Sequence, residues 1–154
     1  MARVGLARLE YLMENLQREL SMSSSSMTGL GRPVVSITGS GTTRVLTGAD
    51  SGAIVRLGGA DFSTVTLPAV QAGLNFRFVA VTAFAHLING GNSVMEGGYH
   101  HNSNTTTCTR VAIVNKVSLK LHASNPMIGD TLECWCDGVS WYFSGIVNHT
   151  ITQA

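Results

Sequence analysis

Glu96, His100 and His101 stand close enough in the chain to raise a metal site, since carboxylate and imidazole are ordinary ligands of zinc and related ions. Adjacent histidines in an extended segment point to opposite faces. The pair serves one ion only across a sharp bend, or around an oligomer axis to which each copy gives one histidine. The three cysteines, Cys108, Cys134 and Cys136, are an odd number that cannot pair completely. A lone CxC lacks the four N or S ligands of a structural zinc site. In a strand, Cys134 and Cys136 share one face and Trp135 takes the other, so the thiols read as small buried hydrophobes. His86, His122 and His149 are isolated in sequence and read as structural. Nine acidic residues leave a carboxylate pair for glycoside hydrolysis formally available, but several sit in turn contexts. The chain has no GxSxG elbow, no P-loop and no dinucleotide fingerprint. These residues predict no catalytic constellation, no metal and no cofactor, and the expectation is a protein that is not an enzyme.

Composition narrows the class further. The chain has 154 residues, 44% of them hydrophobic, enough for one domain with a real core and a short appendage. Only 12% are charged, about half the ~25% usual in soluble proteins. Much of so neutral a surface is expected to be covered by other subunits. The net charge is +1, and the ten Lys and Arg residues are scattered rather than clustered. Nucleic-acid affinity rests on many such contacts, so nucleic acid is not an expected partner. Arg8, Glu10, Glu14, Arg18 and Glu19 interrupt any signal-peptide core. No run approaches the roughly 20 apolar residues of a membrane span. The expected location is the cytoplasm until the protein is assembled into something larger.

The elements that must position these residues fall into three segments. Residues 1–22 lack turn punctuation, and Leu6, Leu9, Met13, Leu16 and Leu20 follow a 3, 4, 3, 4 spacing, which predicts an amphipathic helical arm with a heptad seam. Glu14 and Arg18 sit at i,i+4 in the favourable order. So short a helix is marginal alone in water and needs a partner, whether its own domain, sister helices or a groove elsewhere. Residues 23–33 are a Ser/Gly linker that ends at Arg32 and Pro33. Residues 34–154 carry β-type signals, with strands expected at Val34–Thr38, Thr43–Leu46, Ala53–Leu57, Thr64–Leu67, Leu74–Ala83, Val111–Leu121, Thr131–Trp135, Ser140–Phe143 and Ile146–Ile151. Seventeen glycines fit a fold dominated by tight turns, and Asp50 and Asp137 read as turn formers that bond the backbone following them. The predicted fold is mainly β, an antiparallel sandwich or barrel of jelly-roll-like kind, preceded by the helix. Ile88 to Cys108, rich in Gly, Asn, Ser and Thr, reads as a long excursion from that framework, with Ser93–Met95 a candidate for a short strand within it.

Two stretches carry a family resemblance. In the first, Leu46, Thr47, Asp50, Ser51 and Gly52 precede Val65, Thr66, Leu67, Pro68, Ala72, Gly73, Leu74 and Phe76; in the second, Gly129 and Asp130 precede Asp137, Gly138, Trp141, Tyr142 and Gly145. Together they resemble capsid decoration, or cement, proteins of tailed bacteriophages and related β-domains of phage fibres, over about a third of the chain. The resemblance implies a virion protein that binds the outer face of the head as an oligomer, a trimer or else a dimer, with the major capsid protein as partner. It implies a stay in the host cytoplasm during assembly. A trimeric tail-fibre or spike module and a carbohydrate-binding β-sandwich are the alternative readings. Contact residues are expected on the arm, at Leu6, Leu9, Met13, Leu16 and Leu20, and on the Gly90–Thr107 excursion, at Tyr99, His100 and His101. Trp141 reads as a core aromatic before an interface one, at a hairpin it shares with Tyr142.

Overall fold

The structure, a computed structural model, describes residues 11, 13–15, 32–39, 41–59, 62–102, 108–121 and 128–154. The chain divides into two units, Met1–Arg32 and Pro33–Ala154. Of the expected helical arm, only Tyr11 and Met13 to Asn15 are described; they are helical, and Tyr11 and Met13 are exposed. Leu6, Leu9, Leu16 and Leu20 lie outside the described residues, as does the linker up to Gly31.

Among the described residues the second unit holds twelve strands in two sheets: β1 (Val34–Ile37), β2 (Thr43–Val45), β3 (Ile54–Leu57), β4 (Ser63–Thr66), β5 (Asn75–Ala80), β6 (His86–Asn89), β7 (Met95–Asn102), β8 (Cys108–Lys116), β9 (Ser118–Leu121), β10 (Thr131–Cys136), β11 (Trp141–Val147) and β12 (Thr152–Gln153). One sheet has the order β1-β3-β5-β10-β11-β7-β8 and the other β12-β9-β6-β4-β2. Side chains from the two inner faces fill one core: Ile37, Val55, Leu57, Phe76 and Phe78 from the larger sheet meet Val65, Ile88, Leu119 and Leu121 from the smaller. The alternation that makes this possible is plain in β5, where Phe76, Phe78 and Ala80 are buried and Asn75, Arg77 and Val79 are only partly so.

The sheets are mixed, which corrects the antiparallel, jelly-roll-like expectation. β1, β3 and β5 run parallel to one another, as do β2, β4 and β6, and β7 runs parallel to β11. Each of the first six connections carries the chain from one sheet to the other. A strand that returns to its own sheet after a full circuit arrives pointing the same way, so the pairs are parallel. The result is a wound two-sheet coil: Val34 pairs with Ile54, twenty residues on, and Ile54 pairs with Arg77, twenty-three on. The smaller sheet keeps the same step, Thr43 to Thr64 and Ser63 to His86. After β7 the added pairings are antiparallel except that of β11 with β7: the β10–β11 hairpin enters the larger sheet between β5 and β7, while β9 and β12 extend the smaller one.

Three expected elements are redrawn. The single strand expected over Val111–Leu121 breaks at Val117 into β8 and β9, which belong to different sheets. The break expected at Gly145 is absent, since β11 runs from Trp141 through Gly145 to Val147, with Gly145 so close to the Thr131 carbonyl and Leu132 of β10 that a Cβ would collide there; the strand expected to reach Ile151 stops at Val147. The excursion expected from Ile88 is mostly framework: β6 ends in it and β7 pairs with both β11 and β8. Gly97 of β7 stands at φ +116, and a Cβ on it would collide with the backbone of Phe143, so this strand needs glycine to lie against β11.

Candidate functional site

The residues singled out for contact or metal chemistry divide as β7 directs them. Tyr99 is fully buried, and its hydroxyl accepts the Ile151 N–H at 2.9 Å. It is a core residue that ties β7 to the approach of β12, which corrects its expected contact role. His100 is exposed and His101 half-buried, consecutive positions on opposite sides of the strand. His100 Nδ1 lies 3.7 Å from the exposed Cys108 Sγ across the β7–β8 pair. Glu96 takes another neighbour, accepting the Asn115 N–H at 3.2 Å. Among the described residues no three His, Cys, Asp or Glu side chains gather as metal ligands would.

The two turn aspartates anchor backbone. Asp137 Oδ1 accepts the N–H groups of Val139 at 2.7 Å and Ser140 at 2.8 Å, while Gly138 takes φ +102. Those two backbone bonds hold its carboxyl below the usual carboxylate range, and the Tyr142 hydroxyl adds a further hydrogen bond to it. Asp50 reaches backward instead of forward, accepting the Thr47 N–H and hydroxyl, each at 2.8 Å, and those bonds with the nearby Arg44 guanidinium lower its pKa. Cys134 and Cys136 are buried as expected, and burial pushes the Cys134 thiol far up, so it is an inert core group.

His86 is the one fully buried histidine among the described residues. Its Nδ1 lies 2.6 Å from Ser63 Oγ and its Nε2 3.4 Å from Thr82 Oγ1. Burial lowers its pKa, with a backbone hydrogen bond at Thr82 acting the other way. Ser63 is also fully buried, so the pair resembles half of a hydrolytic triad but offers a substrate no access. It is a satisfied polar joint between β4 and β6.

The feature with unspent chemistry lies on the outer face of the larger sheet. Trp135 on β10 is 53% exposed. Its ring stacks on that of Tyr142, directly opposite on β11, with centroids 4.5 Å apart and planes 18° from parallel. Asn75 of β5 flanks Trp135, and Glu96 of β7 flanks Tyr142, completing a row across four strands. One step along the strands, Arg77, Glu133 and Ser144 form a second row. Arg77 Nε is shielded from water and lies 3.5 Å from Glu133 Oε1, yet makes no hydrogen bond. The charge of Asp137, then its hydrogen bond, raise the Tyr142 pKa, so this hydroxyl stays protonated and fixed by the turn. Trp141, the neighbouring aromatic, is wholly buried beside Phe76, a core residue as expected. An exposed Trp135 follows from the CxC spacing itself, because burying both cysteines turns the residue between them outward.

Two open clefts lie at the ends of the sheets. One, of about 430 Å³, is formed by Leu67–Val70 and Gly90–Ser93; the other, of about 500 Å³, includes Arg56, Thr82 and Phe84. No protein-family model matches the chain, and no similar curated protein or solved structure was found for it.

Proposed function

We propose that the protein is a structural component of a phage virion, one that binds the outer surface of the head as an oligomer and stabilises the shell. The observation that carries this reading is the open end of the coil. β1 and β2 are the outermost strands of their sheets, and the winding puts them at the same end. Val34 and Val45, in those two strands, are 57% and 59% exposed. An end of this kind presents unpaired backbone N–H and C=O groups, which a further β-layer covers, while Val34 and Val45 flank it on the outer faces of the larger and the smaller sheet, being paired with Ile54 and Thr66 beside the buried Val55 and Val65. The low charge of the chain fits attachment by apolar and hydrogen-bonded contacts. A ligand that binds the assembled shell and not its free subunits stabilises the shell by mass action, and oligomeric attachment adds avidity.

The test is the copy number of the chain per purified particle, measured by quantitative mass spectrometry against the major capsid protein. A ratio near one, or a simple large fraction of one, is expected. In the double variant Val34→Asp/Val45→Asp the ratio should fall about tenfold or more, the effect of losing roughly 1.4 kcal/mol of binding. A small fixed number of copies would assign the protein to tail, fibre or vertex instead, and absence from particles would overturn the virion reading.

A further inference from the structure

The exposed indole of Trp135 has two faces. Tyr142 covers one at 4.5 Å, so the other looks across the sheet towards β5 and Asn75, with Arg77 and Glu133 one row away. The ring pair is held in place: Asp137 fixes the Tyr142 hydroxyl and is itself fixed by the Val139 and Ser140 amides. We propose that this face is a saccharide-binding subsite, in which a neutral pyranose packs its C–H face on Trp135 and hydrogen-bonds through its hydroxyls to Asn75, Arg77 and Glu133. The proposal goes beyond the structural role above and stands without it.

Three features of the face select this ligand. The first is area. An aromatic side chain offers at most about 150–250 Å², and here each ring already covers part of the other. Even with the exposed Val139 at the hairpin tip, the patch falls short of the roughly 800 Å² that each partner contributes to a stable protein interface. The polar row Arg77, Glu133, Ser144 separates it from the next exposed apolar residue on this face, Ile146. The second feature is charge. Glu96, Glu133 and Asp137 stand around the rings against one guanidinium, Arg77. That balance repels a polyanion, so the rings are not a stacking platform for nucleic-acid bases, which arrive with their phosphates. The third is hydrogen-bond grammar. A carboxylate only accepts, a guanidinium only donates and an amide does both. Sugar hydroxyls do both, and a pyranose joins them to an apolar face of ring size.

The test uses the full chain and three neutral probes, cellohexaose, maltohexaose and hexa-N-acetylchitohexaose. Trp141 is buried, so a change in tryptophan emission on titration reports on Trp135. At least one probe should give a saturable change with a Kd of about 1 mM or tighter, the weak single-site range that an oligomer raises by avidity. Calorimetry with the same probe should show binding at least tenfold weaker in Trp135→Ala and also weaker in Glu133→Gln, a change confined to an exposed side chain. Arg110→Ala, on β8 at the far side of the same sheet, should bind as the parent does. No saturable response to any of the three probes would overturn the proposal, and so would equal affinity in Trp135→Ala. Loss of particle attachment in Trp135→Ala without saccharide binding by the parent would identify the face as a protein contact; that outcome overturns the saccharide site and leaves the virion reading standing. Saccharide binding by a protein absent from particles would do the reverse.

Discussion

At the scale of single residues, the two imidazole nitrogens of His86 make it a reporter of acid stability. The ring is fully buried against Ser63 and Thr82, and burial lowers its pKa from the ordinary 6.5. The unfolded chain therefore binds a proton at this residue more readily than the folded one does. Its contribution to stability is fully present above about pH 6.5 and is lost as pH falls from there through the depressed value, by up to about 1.4 kcal/mol per pH unit. Chemical denaturation at a series of pH values between 8 and 5 should show this decline in the parent. In His86→Gln, whose amide can still meet both hydroxyls but does not titrate, stability should be lower at pH 8 and the decline should flatten. An unchanged slope would assign the acid sensitivity to other groups. Trp135 shows the same economy in reverse: its position between two buried cysteines makes it readable as an outward residue from the spacing alone, yet aromatics in strands are ordinarily read as core.

At the scale of elements, β7 is the strand on which the coil and the inserted hairpin depend, since it pairs with β11 on one side and β8 on the other. A side chain at position 97 would meet the Phe143 backbone and would also have to hold φ +116. Gly97→Ala should therefore cost about 3 kcal/mol or more, combining strain with displacement of a paired strand. Gly41→Ala, at φ +62 with open space around it, should cost about 1 kcal/mol. Thermal unfolding of the two variants side by side checks the difference, and equal losses would mean that β7 and β11 can move apart freely. The same strand shows where sequence patterning stops. β5 is legible because Leu74, Phe76 and Phe78 alternate with Asn75 and Arg77 and every one of these obeys the pleat. In β7 the buried residues Met95 and Tyr99 keep the period of two, but the position between them is Gly97, flanked by Glu96 and Gly98, so no apolar side chain marks it; the extra residue of the bulge lies in β8, where Lys116 to Ile113 spans three residues against two. A glycine-rich, polar run without alternation reads as a loop, and so a framework strand passes for an excursion. Strand direction is invisible for a different reason: inward and outward residues alternate identically whether the neighbour runs parallel or antiparallel. The circuit between sheets shows in sequence only as a spacing of about twenty residues between paired strands.

At the scale of the whole molecule, the winding and the sparse charge act together. A coil of parallel circuits has ends, and this one exposes Val34 and Val45 at the end formed by β1 and β2. With only 12% of residues charged, few charges are available to govern what meets that end. Two charged contacts among the described residues, Arg44 to Asp50 and Arg77 to Glu133, are long, each at 3.5 Å, and the Arg44, Arg77 and Glu133 side chains are largely open to water. Exposed pairs of this kind contribute little and are screened by salt. Association through apolar side chains and backbone hydrogen bonds responds differently. At about 1 M salt the Debye length shrinks to roughly 3 Å and long-range attraction between charges is gone, whereas burial of apolar surface is preserved and, with sulfate as the anion, strengthened. On the proposed virion role, particles washed in about 1 M sodium chloride should keep the copy number they had in dilute buffer, and ammonium sulfate should retain at least as many. Release of the protein in sodium chloride would mean that its attachment is electrostatic. In that case the scattered arginines and lysines, rather than the valines at the end of the coil, would be the residues that face the shell.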